Sequence, residues 1–176
     1  DQCPDNVAAL IVEGQHPMVE CATFADNIKY HGGGFQAQWH FRDRPYLDHG
    51  GKIADYPAYH NAPRDIIGAV NGIRNWFNHT PAATDDFYVQ QIEAHQMCAK
   101  TDANALSTAM RFLIHLIGDM HQPLHMSALV DERFPSGDKG GNAYLLKNHY
   151  ASPELHAVWD HVVYEFHKTL HVPLSP

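Results

Sequence analysis

The sequence predicts an all-α fold, a single-domain multi-helix bundle with long loops. Three observations predict it. Apolar side chains recur at helical spacing in the second half of the chain, cap residues and prolines stand where those stripes begin and end, and no alternating stretch makes a convincing sheet. The elements follow in chain order. Segments 4–13 and 19–29 read as helices, and 30–62, rich in Gly, Pro, Asp and Asn, reads as a loop. Segments 63–78 and 84–99 are helical again. From 103 to 120, Leu106, Met110, Leu113, Ile114 and Ile117 form a helical stripe, with Thr101 or Asp102 as the cap and Pro123 limiting its end. Segment 126–151 reads as loop. A last helix, 153–170, carries the stripe Leu155, Trp159, Val162, Val163, Phe166 and Leu170, with Ser152 as cap and Pro153 as first residue.

A chain of 176 residues with 44% apolar and 18% charged side chains has the length and composition of one folded domain, without repeats or low-complexity stretches. No apolar run approaches the roughly 20 residues of a membrane-spanning helix. The formal charge of −8 argues against a basic groove for nucleic acid, unless bound divalent cations supply positive charge where a phosphate meets it. The 15 histidines do not form one tract, so their placement carries the information. Cys3, Cys21 and Cys98 contain no C-x-x-C pair and leave open one disulfide plus a thiol, or a partner outside the chain. Asn78-His79-Thr80 is a glycosylation sequon, with Pro81 against its use.

The chemistry starts at His115-Leu-Ile-Gly-Asp119. Positions i and i+4 of a helix share a face one turn apart, so an imidazole and a carboxylate so placed can grip one metal ion. His125 follows the helix-breaking Gln122-Pro123-Leu124, which lets the chain turn back toward the same cleft. His156-Ala-Val-Trp-Asp160 repeats the i, i+4 pairing on the last helix. A lone pair of this kind is more often a surface salt bridge or a hydrogen-bonded core histidine; the repetition is what favours ligands for zinc, which takes N and O donors. Asp119 is the candidate for bridging two ions. Arg111, one turn before His115, pairs with a site carboxylate or phosphate, or is an exposed helix charge; Arg42 and Arg44 contact phosphate or solvent. His121 has no partner by spacing. His31, His49, His60, His79, His95, His149, His161, His167 and His171 match no motif and read as ordinary polar residues, and Trp39 and Trp159 read as packing beside ligands.

At these residues the chain resembles the secreted zinc-dependent single-strand nuclease and 3'-nucleotidase family, which shares its fold with zinc-dependent phospholipase C. The matching blocks are Ala22-Thr23-Phe24-Ala25-Asp26, Trp39-His40-Phe41-Arg42-Asp43, Phe112 to Asp119, Gln122-Pro123-Leu124-His125, Gly140-Gly141-Asn142 and Leu155 to Asp160, in the family's order. The resemblance implies that Asp26, His40, His115 and Asp119 hold one zinc and that His125, His156 and Asp160 hold a second, a clustered zinc site within the bundle. It implies that Asp119 also bridges toward a third ion, that Phe41 stacks on a nucleobase, that Asp43 hydrogen-bonds the base edge, and that Asn142 lies beside the active site. Asp43 and Asp119 are the side chains assigned to the catalytic step.

The resemblance further implies an endonuclease of single-stranded DNA and RNA. Paired zinc ions would produce a shared hydroxide that attacks phosphorus, giving 5'-mononucleotides and removing phosphate from 3'-mononucleotides. The chain departs from the family at its start, which lacks the expected first helix and its ligands for the third zinc, and its C-terminal helices are shortened. It therefore reads as a fragment of one zinc-dependent nuclease-like domain covering 1–176, with two zincs expected here; otherwise His16 or His121 serves the third. A secreted or extracytoplasmic location follows from the resemblance and a glycoprotein is expected; no obligate protein partner is evident, and no stable membrane insertion is expected. Two rivals stand beside this reading. A phospholipase C is disfavoured by Asp160, where those lipases carry Glu, and by the Phe41-x-Asp43 pattern. The other is a catalytically weak zinc-binding protein.

Overall fold

Side-chain size along one helix explains the first of two compact units, Asp1–Arg42 with Ala62–His121. The computed structural model describes residues 3–147 and 152–166, the last five of these as helical backbone. Helix α6 (Asp102–His121) is opened by Thr101, whose hydroxyl accepts the Asn104 amide at 3.2 Å. It buries Ala105, Ala109, Phe112 and Leu116, an i, i+4, i+7, i+11 face. The expected stripe is therefore corrected: Met110 and Ile117 are exposed. Both faces of α6 are apolar, and the aromatic packing chose between them. Phe112 meets Phe24 at 5.8 Å and Trp39 at 6.1 Å between ring centroids, tilted or edge-on as ring quadrupoles favour.

The elements around α6 are shorter than the sequence suggested. They are α1 (Asp5–Ala8), α2 (Pro17–Glu20), α3 (Phe24–Ile28), α4 (Ile66–Phe77) and α5 (Phe87–Ala94). Asp65 caps α4 by accepting the Gly68 amide at 3.0 Å, and Asp86 caps α5 by accepting the Tyr88 amide at 2.8 Å. Gly68 and Gly72 lie one turn apart on α4, and a side chain on either would overlap Tyr88 or Asp86 at the start of α5. A disulfide joins Cys3 to Cys98, and Cys21 is a buried thiol, so one bridge and one thiol is the arrangement adopted. Segment 30–62 is not all loop: Gly33–His40 winds as a 3-10 helix, longer than the usual three or four residues. Gly32, at φ +95°, gives the left-handed turn that starts it.

The second unit is Asp43–Asn61 with Gln122–Pro176. It corrects the expectation of no sheet. Strands β1 (Arg44–Tyr46) and β2 (Ser127–Leu129) pair in parallel, Arg44 opposite Ser127 and Tyr46 opposite Leu129. Leu145 and Glu154 form one further antiparallel bridge. Ala128, Val130 and Tyr59 are buried beside this pairing. Helix α7 spans Leu155–Phe166; it begins after Pro153, and Ser152 instead bonds the Glu154 carboxylate. Trp159, expected to pack, is 43% exposed. The expected continuation to Leu170, the side chains of Val162, Val163 and Phe166, and His149, His167 and His171 lie outside the described residues. Among the described residues no helix is long and apolar enough to cross a membrane. The two short strands leave the all-α class intact.

Candidate metal centres

Three elements of the first unit bring four sequence-predicted ligands together. Asp26 comes from α3, His40 from the end of the 3-10 helix, and His115 and Asp119 from α6. His40 Nδ1 lies 2.9 Å from Asp119 Oδ2, 3.0 Å from His115 Nε2 and 3.7 Å from Asp26 Oδ1. His115 Nε2 lies 3.1 Å from Asp119 Oδ2 and 3.7 Å from Asp26 Oδ1. Tetrahedral zinc with bonds of about 2.0 Å spaces its ligand atoms by roughly 3.3 Å, within the observed spread. His40 is buried and Asp26 is half exposed, so the group opens to solvent on its Asp26 side.

The outer hydrogen bonds decide which nitrogen of each ring faces inward. His115 Nδ1 is 2.6 Å from the Ala22 carbonyl, which only accepts, so Nδ1 carries hydrogen and Nε2 turns its lone pair inward. His40 Nε2 is 2.5 Å from Gln36 Oε1, which likewise leaves Nδ1 as the inward lone pair. Two lone pairs 3.0 Å apart repel unless a cation sits between them. Burial drives the His40 pKa below its ordinary value despite the Asp119 hydrogen bond. Burial also opposes charge on His115, but the hydrogen bond and charge of Asp119, the Ala22 carbonyl and Asp26 together raise its pKa. Asp26 is held low: burial raises it, and the Lys29 hydrogen bond with the charges of His115, Lys29 and His40 outweighs that. Two imidazole nitrogens and the Asp26 carboxylate, with Asp119 against both rings, make a donor set that fits a divalent zinc-type ion.

The second unit carries the other group. Ligand atoms of His125, His156 and Asp160 all lie within 4.8 Å of one another, and His156 Nε2 is 3.6 Å from Asp160 Oδ2. The rings of His125 and His156 sit 4.8 Å apart at 35°. His156 Nδ1 donates to the Gly140 carbonyl at 2.7 Å, again leaving Nε2 for the group. Gln122 Nε2 donates to Asp160 Oδ1 at 3.0 Å while its Oε1 accepts the Leu124 amide at 2.6 Å. Among the described residues, Asp26, His40 and His115, and His125, His156 and Asp160, are the sets whose ligand atoms all lie within 4.8 Å of one another, and neither His16 nor His121 belongs to them. His121 bonds the Ile117 carbonyl of its own helix.

The other named residues have definite places. Phe41 is half-buried, and its carbonyl accepts the Ile66 amide at 3.3 Å. Asp43 has its pKa raised by burial and by the buried carboxylate of Asp138, against the pull of His125 and His156. Asn142 is exposed, and its amide donates to the Lys139 carbonyl at 2.8 Å, closing the loop that presents Gly140. Arg111 pairs with Glu13, which is outside both ligand groups, and is not an exposed charge: its Nε donates to Glu13 at 2.9 Å and it is largely buried. Arg42 pairs with Asp65 at 3.4 Å. Sequence reasoning missed Gln36, Gln122, Lys29 and the carbonyls of Ala22 and Gly140. Lys29, whose ammonium is 2.7 Å from Asp26, stood one turn after a named ligand and was findable by i, i+3 spacing. Backbone carbonyls leave no such signal.

Gly140 yields a prediction. Its φ is +59°, and a Cβ there would overlap the Leu124 carbonyl and approach His156 Nδ1 to 3.6 Å. Gly140→Ala is expected to cost about 1–3 kcal/mol and to weaken metal binding by His156, because its outer acceptor moves. Urea unfolding and metal counting read both effects, and an unchanged metal content would refute the link.

Comparison with known proteins gives one family model, described as S1/P1 Nuclease, matching residues 2–173. The chain is 29% identical to Endonuclease 4 of Arabidopsis thaliana over 154 residues, 84% of this chain and 44% of that protein. It is 42% identical to Endonuclease 3 of Arabidopsis thaliana over 128 residues, 72% of this chain and 35% of that protein. It is 28% identical to Nuclease S1 of Aspergillus oryzae over 147 residues, 81% of this chain and 40% of that protein. The chain thus spans less than half the length of these relatives.

Proposed function

The chain belongs to the S1/P1 nuclease family, and on that premise we propose that it is a zinc-dependent phosphodiesterase of single-stranded DNA and RNA that yields 5'-mononucleotides and removes 3' phosphate. The observation that carries the reading is the pair of ligand groups, in which His115 and His156 each donate outward to a carbonyl and turn a lone pair inward. In this proposal Asp26, His40, His115 and Asp119 hold one zinc, and His125, His156 and Asp160 a second. Zinc so held supplies Lewis-acid charge and lowers the pKa of water.

The chain's own residues do the rest. Asp119 Oδ2 lies beside both inward ring nitrogens, where in this proposal it would share their metal ion. Lys29 keeps a positive charge beside Asp26, where a phosphate oxygen competes for its ammonium. Phe41 offers a sequence-tolerant stacking face, suited to unstacked single strands. Asp43, whose pKa is raised by burial and by Asp138, hydrogen-bonds a base edge. Binding through metal and Lys29 explains how a chain of charge −8 takes a polyanion. The Cys3–Cys98 disulfide supports a secreted or otherwise oxidising location.

Metal analysis combined with assays on single-stranded DNA, a 3'-mononucleotide and phosphatidylcholine tests this reading. Zinc-dependent cleavage of the nucleic acid is expected; turnover of lipid alone would replace it with a phospholipase, and bound zinc without turnover with a binding protein. Phe41→Ala should raise KM for oligonucleotides by about 10-fold, given stacking worth ~1–3 kcal/mol per base, with metal content unchanged. Loss of zinc in that variant would assign Phe41 to packing instead.

A further inference from the structure

We propose that Gln36 is a positioning residue that imposes the Nε2–H tautomer on His40 and so aims the Nδ1 lone pair of that ring at the first ligand group. Gln36 is fully buried. Its amide orientation is set from its other side. Gln36 Nε2 is 2.7 Å from the Ala25 carbonyl, and a carbonyl only accepts, so the NH2 end must face Ala25. The Oε1 end is thereby turned to His40 Nε2 at 2.5 Å, and an amide oxygen there requires a hydrogen on that nitrogen. The 3-10 winding of Gly33–His40 brings both side chains together and places Gln36 against the residue preceding the ligand Asp26.

The tautomer matters because the alternative is attractive. His40 Nδ1 is 2.9 Å from the Asp119 carboxylate, so without Gln36 the ring gains by placing its hydrogen on Nδ1 and donating to Asp119. That hydrogen would occupy the nitrogen a metal ion needs and would tie up a second ligand. Gln36 removes that choice by tying His40 to the backbone beside Asp26, as outer hydrogen bonds do for metal-ligating histidines generally. The consequence for zinc rests on the proposed function, whereas the tautomer itself is a property of the metal-free chain.

The test has two readouts. Long-range proton–nitrogen NMR on the zinc-stripped protein at mildly alkaline pH reads the His40 tautomer directly. The wild type is expected to carry hydrogen on Nε2, Gln36→Leu to shift it toward Nδ1, and Gln36→Glu, which keeps an acceptor toward His40, to retain the wild-type tautomer. Competition with a chelator then reads zinc affinity: Gln36→Leu is expected to lose about 10- to 100-fold at one ion, with Gln36→Glu restoring most of it. A wild-type ring protonated on Nδ1, or undiminished zinc affinity in a folded Gln36→Leu, would overturn the proposal. Should the leucine variant not fold, the wild-type and glutamate spectra still decide, since loss of the Nε2–H form in Gln36→Glu counts against it. A wild type that binds no zinc but shows the Nε2–H ring would overturn the proposed function while leaving the role of Gln36 standing.

Discussion

Asp119→Asn is expected to abolish phosphodiester hydrolysis and to weaken zinc binding at the first group by more than about 100-fold. The side chain is 15% exposed, and one of its oxygens faces both inward ring nitrogens, at 2.9 and 3.1 Å. Asparagine preserves the shape but removes the charge, and it turns either a weaker oxygen or an NH2 toward two lone pairs. Metal content by elemental analysis and turnover of single-stranded DNA measure the result; a variant with full zinc and full activity would rule Asp119 out as a ligand. The zinc-stripped protein gives a second reading. Asp119 raises the His115 pKa above its ordinary 6.5, so the stability their pairing adds is fully present below 6.5 and fades as pH rises through the folded-state value. The Asn variant should therefore lose more stability in mildly acidic than in mildly alkaline buffer. An equal loss at both would argue that the carboxylate does not stabilise the imidazolium.

The largest effect on stability is expected from Cys98→Ser. The bridge from Cys3 to Cys98 spans 95 positions and closes nearly the whole sequence of the first unit before α6. Loop-closure entropy for so long a span is about 4–5 kcal/mol, and loss of such bridges costs about 2–5 kcal/mol. The urea midpoint should fall accordingly, and reduction of the wild type should reproduce the shift. A midpoint unchanged by either treatment would show that the unit holds its fold without the bridge. Neither cysteine belongs to a ligand group, so the folded variant should retain its zinc, which separates loss of fold from loss of site.

Helices were legible in proportion to how local their signals are. Helix α6 was placed within a residue of its observed limits because caps and proline act on adjacent backbone. The choice of its buried face was not legible. Leu106-Met110-Leu113-Ile117 and Ala105-Ala109-Phe112-Leu116 both satisfy the period, and only the contacts of Phe112 with Phe24 and Trp39 discriminate. The 3-10 run Gly33–His40 was hidden by its glycines, and the pairing of β1 with β2 by the distance in sequence between two three-residue strands.

By itself the sequence offered His115, Asp119, His125, His156 and Asp160 as candidate ligands, since i, i+4 spacing and a helix-ending proline are consequences of backbone geometry, while Asp26 and His40 were named only through the family resemblance. The fold alone decided which atoms those residues present. The acceptors that orient His40, His115 and His156 are Gln36, the Ala22 carbonyl and the Gly140 carbonyl, and the last two stand 93 and 16 positions away. A hydrogen bond is made only where donor and acceptor meet in space, and a backbone carbonyl looks the same at every position of a sequence.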